Sequence, residues 1–168
     1  MPRYTVPVSF TLTNAGGTTD LMSIAPATSQ VVKLRKILLS NASEIAEAQE
    51  EDLHVQIKRL PATVTAGSGG SAFTTANAGK VKGMSTALST GPTVRYNDTT
   101  PATTSGTEEI LEEIGWNLRG TPLELRYDDP EDQYDVRAAQ ALVIYLPTAV
   151  ADDMTFKLTV WLDVEGIV

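Results

Sequence analysis

The chain has 168 residues, 42% hydrophobic and only 20% charged, with 13 Lys+Arg against 21 Asp+Glu. That length supports one domain with a sizeable core and leaves little room for two. A net charge of −8 offers no electrostatic footprint for a phosphate backbone or an anionic membrane. The absence of cysteine removes disulfides, thiolate metal sites and cysteine nucleophiles together.

In chain order, Met1-Pro2-Arg3 leads directly into alternating residues with no apolar leader, and the longest apolar run, 141–146, is far short of a membrane span. The expectation is a soluble chain made in a cytoplasm. Over 4–12 every even position is apolar or aromatic and every odd one is Thr, Ser or Pro. That period of two predicts a half-buried strand, and Pro7, which lacks an N–H, predicts a sheet edge. Further strands are expected at 31–39, 53–60, 93–96, 123–127 and 142–146. At 156–165 the alternation returns, with Phe156, Leu158, Val160, Leu162 and Val164 on one face. The connections carry turn residues: Asn14-Ala15-Gly16-Gly17, Gly67-Ser68-Gly69-Gly70, Asn97-Asp98 and Asp128-Asp129-Pro130.

Two short helices are expected, because 41–44 and 105–108 each place a capping side chain three residues before a Glu. The second would gather Ile110, Leu111 and Ile114 on one stripe and stop at Gly115. Residues 67–91 and 98–106 are rich in Gly, Ser, Thr and Ala and read as long exposed loops, some of which are expected to order only against a neighbouring subunit. Neither a repeat nor a domain boundary is visible. The fold class is therefore a single all-β domain, an antiparallel β-sandwich or jelly-roll-like barrel with one or two short helices.

Chemistry is sparse. His54 alternates with Leu53, Val55 and Ile57, which reads as a solvent-facing strand residue rather than a base. The run 67–71 lacks the spacing of a phosphate-binding loop, since Gly79-Lys80 is followed by Val81. Of the 21 acids, 18 fall in 44–52, 108–113, 128–135 and 152–165. Pairs such as Glu112-Glu113 are the raw material of a two-carboxylate hydrolase, yet acids at helix starts and turns serve capping and solvation. The run 128–132 lacks the calcium-loop spacing. No catalytic residue, metal or cofactor is assigned, and the chain is not read as an enzyme.

What remains points to contact. Lys33, Arg35 and Lys36, then Lys58-Arg59, group bases on an acidic protein, and such a stripe suits docking onto an acidic partner. Trp161 falls on the polar face of the last strand, where an exposed indole is a natural interface anchor. Trp116 is read as core or subunit interface. The candidate interface residues are thus Trp161, Lys33, Arg35, Lys58 and Arg59.

Taken in order, 11–21, Ser43-Glu44 with 48–51, 59–70, Gly115-Trp116-Asn117-Leu118-Arg119 and 147–155 resemble a family of small, mostly uncharacterised proteins encoded by tailed bacteriophages and prophages. The resemblance covers most of the chain and contains no catalytic motif. It implies a virion structural component, foremost a decoration or cement protein on the capsid exterior that bridges and stabilises major capsid protein subunits. The implied partners are the major capsid protein and further copies of the chain, with no nucleic acid and no membrane. A tail or head–tail component, including a carbohydrate-binding module that contacts the host surface, is the alternative.

Overall fold

The structure, a computed structural model, describes residues 3–14, 17–43, 51–74, 79–81 and 91–166. Among them run fourteen strands: β1 (Arg3–Leu12), β2 (Thr19–Ala25), β3 (Val31–Asn41), β4 (Asp52–Leu60), β5 (Val64–Thr65), β6 (Ser71–Phe73), β7 (Gly79–Val81), β8 (Thr93–Asp98), β9 (Thr103–Thr104), β10 (Glu109–Asn117), β11 (Leu123–Arg126), β12 (Asp135–Arg137), β13 (Ala141–Leu146) and β14 (Met154–Glu165). The first sheet has the order β11–β3–β14–β1–β7, with β12 also paired to β3. The second has the order β10–β4–β13–β2–β8–β6, and β5 with β9 forms a separate ribbon. Every pairing is antiparallel.

The long strands change sheet at every step but one, from β4 to its neighbour β10: β1, β3, β11 with β12, and β14 lie in the first, while β2, β4, β10 and β13 lie in the second. Their order, β11/β12–β3–β14–β1 facing β10–β4–β13–β2, is that of a jelly roll. The two sheets share no strand, so the molecule is a sandwich and not a closed barrel. One apolar cluster fills the space between them, with Val6, Leu34, Ile37, Leu158, Val160 and Leu162 from the first sheet and Met22, Ile24, Ile57, Leu142 and Ile144 from the second. Both flanks are bridged. Phe10 meets Tyr96 at 6.2 Å on one; on the other, Tyr127 donates a 2.6 Å hydrogen bond to Glu112 across the gap. Burial foremost, and then that bond to Glu112, push the Tyr127 hydroxyl far above its ordinary pKa.

The expected strands at both ends are present in the expected phase. β7 pairs with β1 only at Arg3–Thr5, so Pro7 lies where the described residues place no second neighbour on β1. Trp116 is core, packed at 6.2 Å from Phe156 with its indole N–H donated to the Thr121 carbonyl. The helix expected after Ser105 is instead β10. Here the cap-like Ser105 and Glu108 are overridden by pairing with β4, which turns Ile114 and Trp116 inward. A bulge at Leu111 breaks the period of two and mimics a helical stripe. The other expected helix begins at Asn41, whose side chain accepts bonds from the Ser43 amide and hydroxyl; its remainder lies outside the described residues.

The Gly/Thr/Ala-rich stretches are not plain loops where they are described, since they contain β6, β7 and β9. The segment 67–70 is held tightly: Ser68 and Thr100 exchange two 3.0 Å backbone bonds, and the Gly70 amide donates to Asp98. A Cβ on Gly70 would stand 2.2 Å from the Tyr96 carbonyl oxygen. Glycine is required there for close approach, not for flexibility. Gly70→Ala is expected to force β6 away from β8 and destabilise the fold by about 2 kcal/mol, read as a lower urea midpoint at unchanged slope.

Candidate interaction surface

Pleating assigns the side chains of β14 strictly: Met154, Phe156, Leu158, Val160 and Leu162 point into the sandwich, whereas Thr155, Lys157, Thr159 and Trp161 point out. The register carries this phase to the neighbouring strands, aligning Thr5, Trp161 and Lys36, then Pro7, Thr159 and Leu38, then Ser9, Lys157 and Ser40. The outer face of the first sheet is thus a shallow field of Thr, Ser and Pro around one indole. Pro7, Ser9, Thr11 and Lys157 are exposed and Trp161 is half-buried. Trp161 belongs to neither apolar cluster; the Lys36 ammonium lies 4.9 Å from its ring centroid.

At one end of this face charges interlock. Arg3 Nε donates to Asp163 at 2.8 Å, Arg35 approaches the other Asp163 oxygen at 3.5 Å, and Lys33 meets Glu165 at 2.9 Å. A bulge opposite Trp161/Leu162 turns Arg35 and Lys36 outward together. Of the expected interface residues, Trp161, Lys33 and Arg35 therefore share one surface. Lys58 and Arg59 do not join them. Lys58 is on the outer face of the second sheet, its ammonium 3.5 Å from the Tyr145 ring centroid and 3.0 Å from Glu108. Arg59 reaches across the flank of the sandwich to the Asp135 carbonyl and to Glu109. It borders a polar cleft of about 610 Å³ that also takes in Glu112, Tyr127 and Tyr134.

The outer face of the second sheet is partly covered by the chain itself. The β5–β9 ribbon and its flanks lay Val64 and Ala102 over Leu60, Ala141 and Val143, forming a second, small apolar cluster. Beneath it lies a polar layer. The Ala102 amide donates to Asp20 at 2.7 Å, while the other Asp20 oxygen is buried with no partner among the described residues. Asp98, cross-strand from Asp20, is gripped by both ends of the Arg95 guanidinium at 2.8 and 2.7 Å. A neighbouring pocket of about 310 Å³ is lined by small side chains such as Ser23, Ala25, Val64 and Ala141, and by this already neutralised Arg95. Asp20 and Asp98 were not singled out from the residues. Their signal was position: they are two of the three acids outside the four acidic clusters.

His54 is half-exposed on the outer side of β4, 3.6 Å from Glu113. Glu112 and Glu113 point to opposite faces of β10, the first to Tyr127 and the second to Gln56 at 2.8 Å, so they do not converge as a carboxylate pair. In the run 128–132, Asp129 caps its own turn by accepting from the Glu131 amide. Among the described residues no group of three or more His, Asp or Glu is placed to hold a metal ion, and no helix is long and apolar enough to cross a membrane. Comparison of the chain with protein-family models, curated proteins and solved structures returned no match.

Burial, opposed in part by the Ala102 amide and the Lys58 charge, raises the Asp20 carboxyl from 3.8 to about 6. Between these values the folded protein holds a proton that the unfolded chain has released. Stability therefore falls as pH rises through that window, by up to about 3 kcal/mol, and stays lower above it. Asp20→Asn keeps an acceptor for Ala102 and cannot ionise. It is expected to erase that part of the pH dependence and to be more stable than the parent by about 1 kcal/mol at pH 7.5, as read from paired urea melts at pH 4.5 and 7.5.

Proposed function

We propose that this chain is a non-enzymatic structural protein of a tailed-bacteriophage virion, a decoration or cement protein on the capsid exterior that bridges major capsid protein subunits. The observation that carries this reading is the one-sidedness of the sandwich. Part of the outer face of its second sheet is covered by the β5–β9 ribbon, whereas the first sheet turns outward a field of Thr, Ser and Pro, with Pro7, Ser9 and Thr11 exposed, around the half-buried Trp161. Among the described residues the first-sheet face carries less cover from the chain than the second, which suits a part that lies on a surface.

Two further points support it. The groups able to do chemistry are spent on the fold: Asp98 on Arg95, Glu112 on Tyr127, Asp20 on the Ala102 amide. Cross-braced flanks also suit a load-bearing part, because shearing the sheets apart must break buried aromatic and hydrogen-bonded contacts. A jelly roll alone specifies no role; the role comes from the resemblance along the chain combined with this bare face. Made in the bacterial cytoplasm, the protein would act on the virion as one of many copies.

Purified protein added to expanded capsids lacking it is expected to co-sediment with them saturably and to raise their melting temperature in calorimetry. No binding at saturating concentration overturns the reading. Labelling confined to the tail, with hits on a host-glycan array, would put a tail-borne glycan-binding module in its place.

A further inference from the structure

The charge of the bare face is opposite in sign to that of the molecule. Among the side chains that β1, β3 and β14 turn outward, five are basic (Arg3, Lys33, Arg35, Lys36 and Lys157) and two acidic (Asp163 and Glu165). The whole chain, in contrast, has 13 Lys+Arg against 21 Asp+Glu. Glu124 of the neighbouring β11 meets Lys36 at 3.1 Å and Asp128 acts on Arg3, so the face stays net basic by a small margin. Most of the excess acid lies elsewhere: among the described residues, Glu108, Glu109 and Glu113 lie along the β10 side, and Asp129 and Glu131 sit exposed in the turn beyond β11. A net-basic field on an acidic protein has a direction. It draws the face toward negative surfaces while the remaining surface is repelled by them.

The pattern within the field is that of a contact. Trp161 stands at its centre, oriented by Lys36 and flanked by Thr5, Thr159 and Leu38. The side chains around it are short, so a flat partner can approach closely and exclude water from the indole, which is how an aromatic hot spot acts. Arg3, Arg35 and Lys33 are already pinned by Asp163 and Glu165, which lowers the entropy lost when they meet a partner. Lys157, by comparison, is exposed.

We infer that the outer face of the first sheet is the docking surface, with Trp161 as its anchor, and that it binds a flat, acidic protein surface on the capsid shell. This rests on the capsid reading above and goes beyond it by naming the face, the anchor and the sign of the partner's charge. The acidic β10 edge and the turn beyond β11 then point away from the lattice, or toward it only at its basic places.

The test uses the full chain and expanded capsids in a sedimentation assay, with wild type, Trp161→Ala, the double substitution Ser9→Glu/Lys157→Glu, and Thr103→Glu as an exposed control on the other side. Wild type is expected to bind and to weaken as salt is raised from about 0.05 to about 0.5 M. Trp161→Ala and the Ser9/Lys157 double variant are expected to lose about tenfold or more in affinity, with Thr103→Glu unchanged. Both positions are exposed, and because the two Glu stand opposite each other on β1 and β14 the melting temperature falls slightly. Binding is read well below it, so a loss of binding of about tenfold reads the face itself. If wild type binds and both face variants bind equally well, the docking inference falls while the capsid reading stands. If wild type does not bind, both fall. If the face variants lose only self-association in solution and still bind capsids, the face joins copies of this chain and the inference is overturned.

Discussion

The register of β14 between β1 and β3 is the constraint from which most of the molecule follows. Ten residues of β14 pair with β1 and ten with β3, and a slip of one residue against either neighbour would exchange the inner and outer sets. Such a slip would drive Lys157 and Asp163 toward the core and expose Phe156, Leu158, Val160 and Leu162. Each of those four is no more than 1% exposed, so the cost of slipping is that of unburying several large side chains. The same constraint that builds the core thereby places Trp161 at the centre of the outer face. Core and outer face are two sides of one strand.

The second sheet meets a different problem, because its outer face carries apolar residues too. Leu60, Ala141 and Val143 point away from the sandwich core and need cover. The β5–β9 ribbon with its flanks supplies it, and polar groups are buried beneath and beside it. Lys58 is accommodated by the Tyr145 ring and Glu108, and Asp98 by Arg95 and the Gly70 amide. Asp20 is only half accommodated, with one oxygen bonded and one without a partner among the described residues. Its raised pKa expresses that imbalance: the layer prefers a neutral carboxyl, and at neutral pH the fold carries the cost of a charged one.

Charge acquires meaning only once it is distributed over this architecture. Along the chain Lys33, Arg35, Lys36, Lys58 and Arg59 form two basic groups of similar appearance. In space the first is part of an open sheet face, whereas Lys58 is buried under the chain's own segment and Arg59 braces the flank. The first group is paired too, with Asp163, Glu165 and Glu124, but on a sheet face rather than under the ribbon or along the flank.

The alternation at 4–12 and 156–165 was enough to determine the inner and outer faces of the two terminal strands and the outward placement of Trp161, because side-chain direction in a strand depends only on parity. The antiparallel all-β class came from the further short strands and the turn residues between them. The bulged strands were not legible in this way. Leu21, unpaired between Asp20 and Met22, and Leu111 in β10 each add a residue that breaks parity, so β2 was missed and β10 took on the look of a helix. The sheet order, the pairing of β14 with both β1 and β3, and the burial of Asp20, Lys58 and Asp98 were decided by the tertiary structure alone. These depend on contacts between residues distant along the chain, and local pattern carries no information about which distant strand supplies the neighbour.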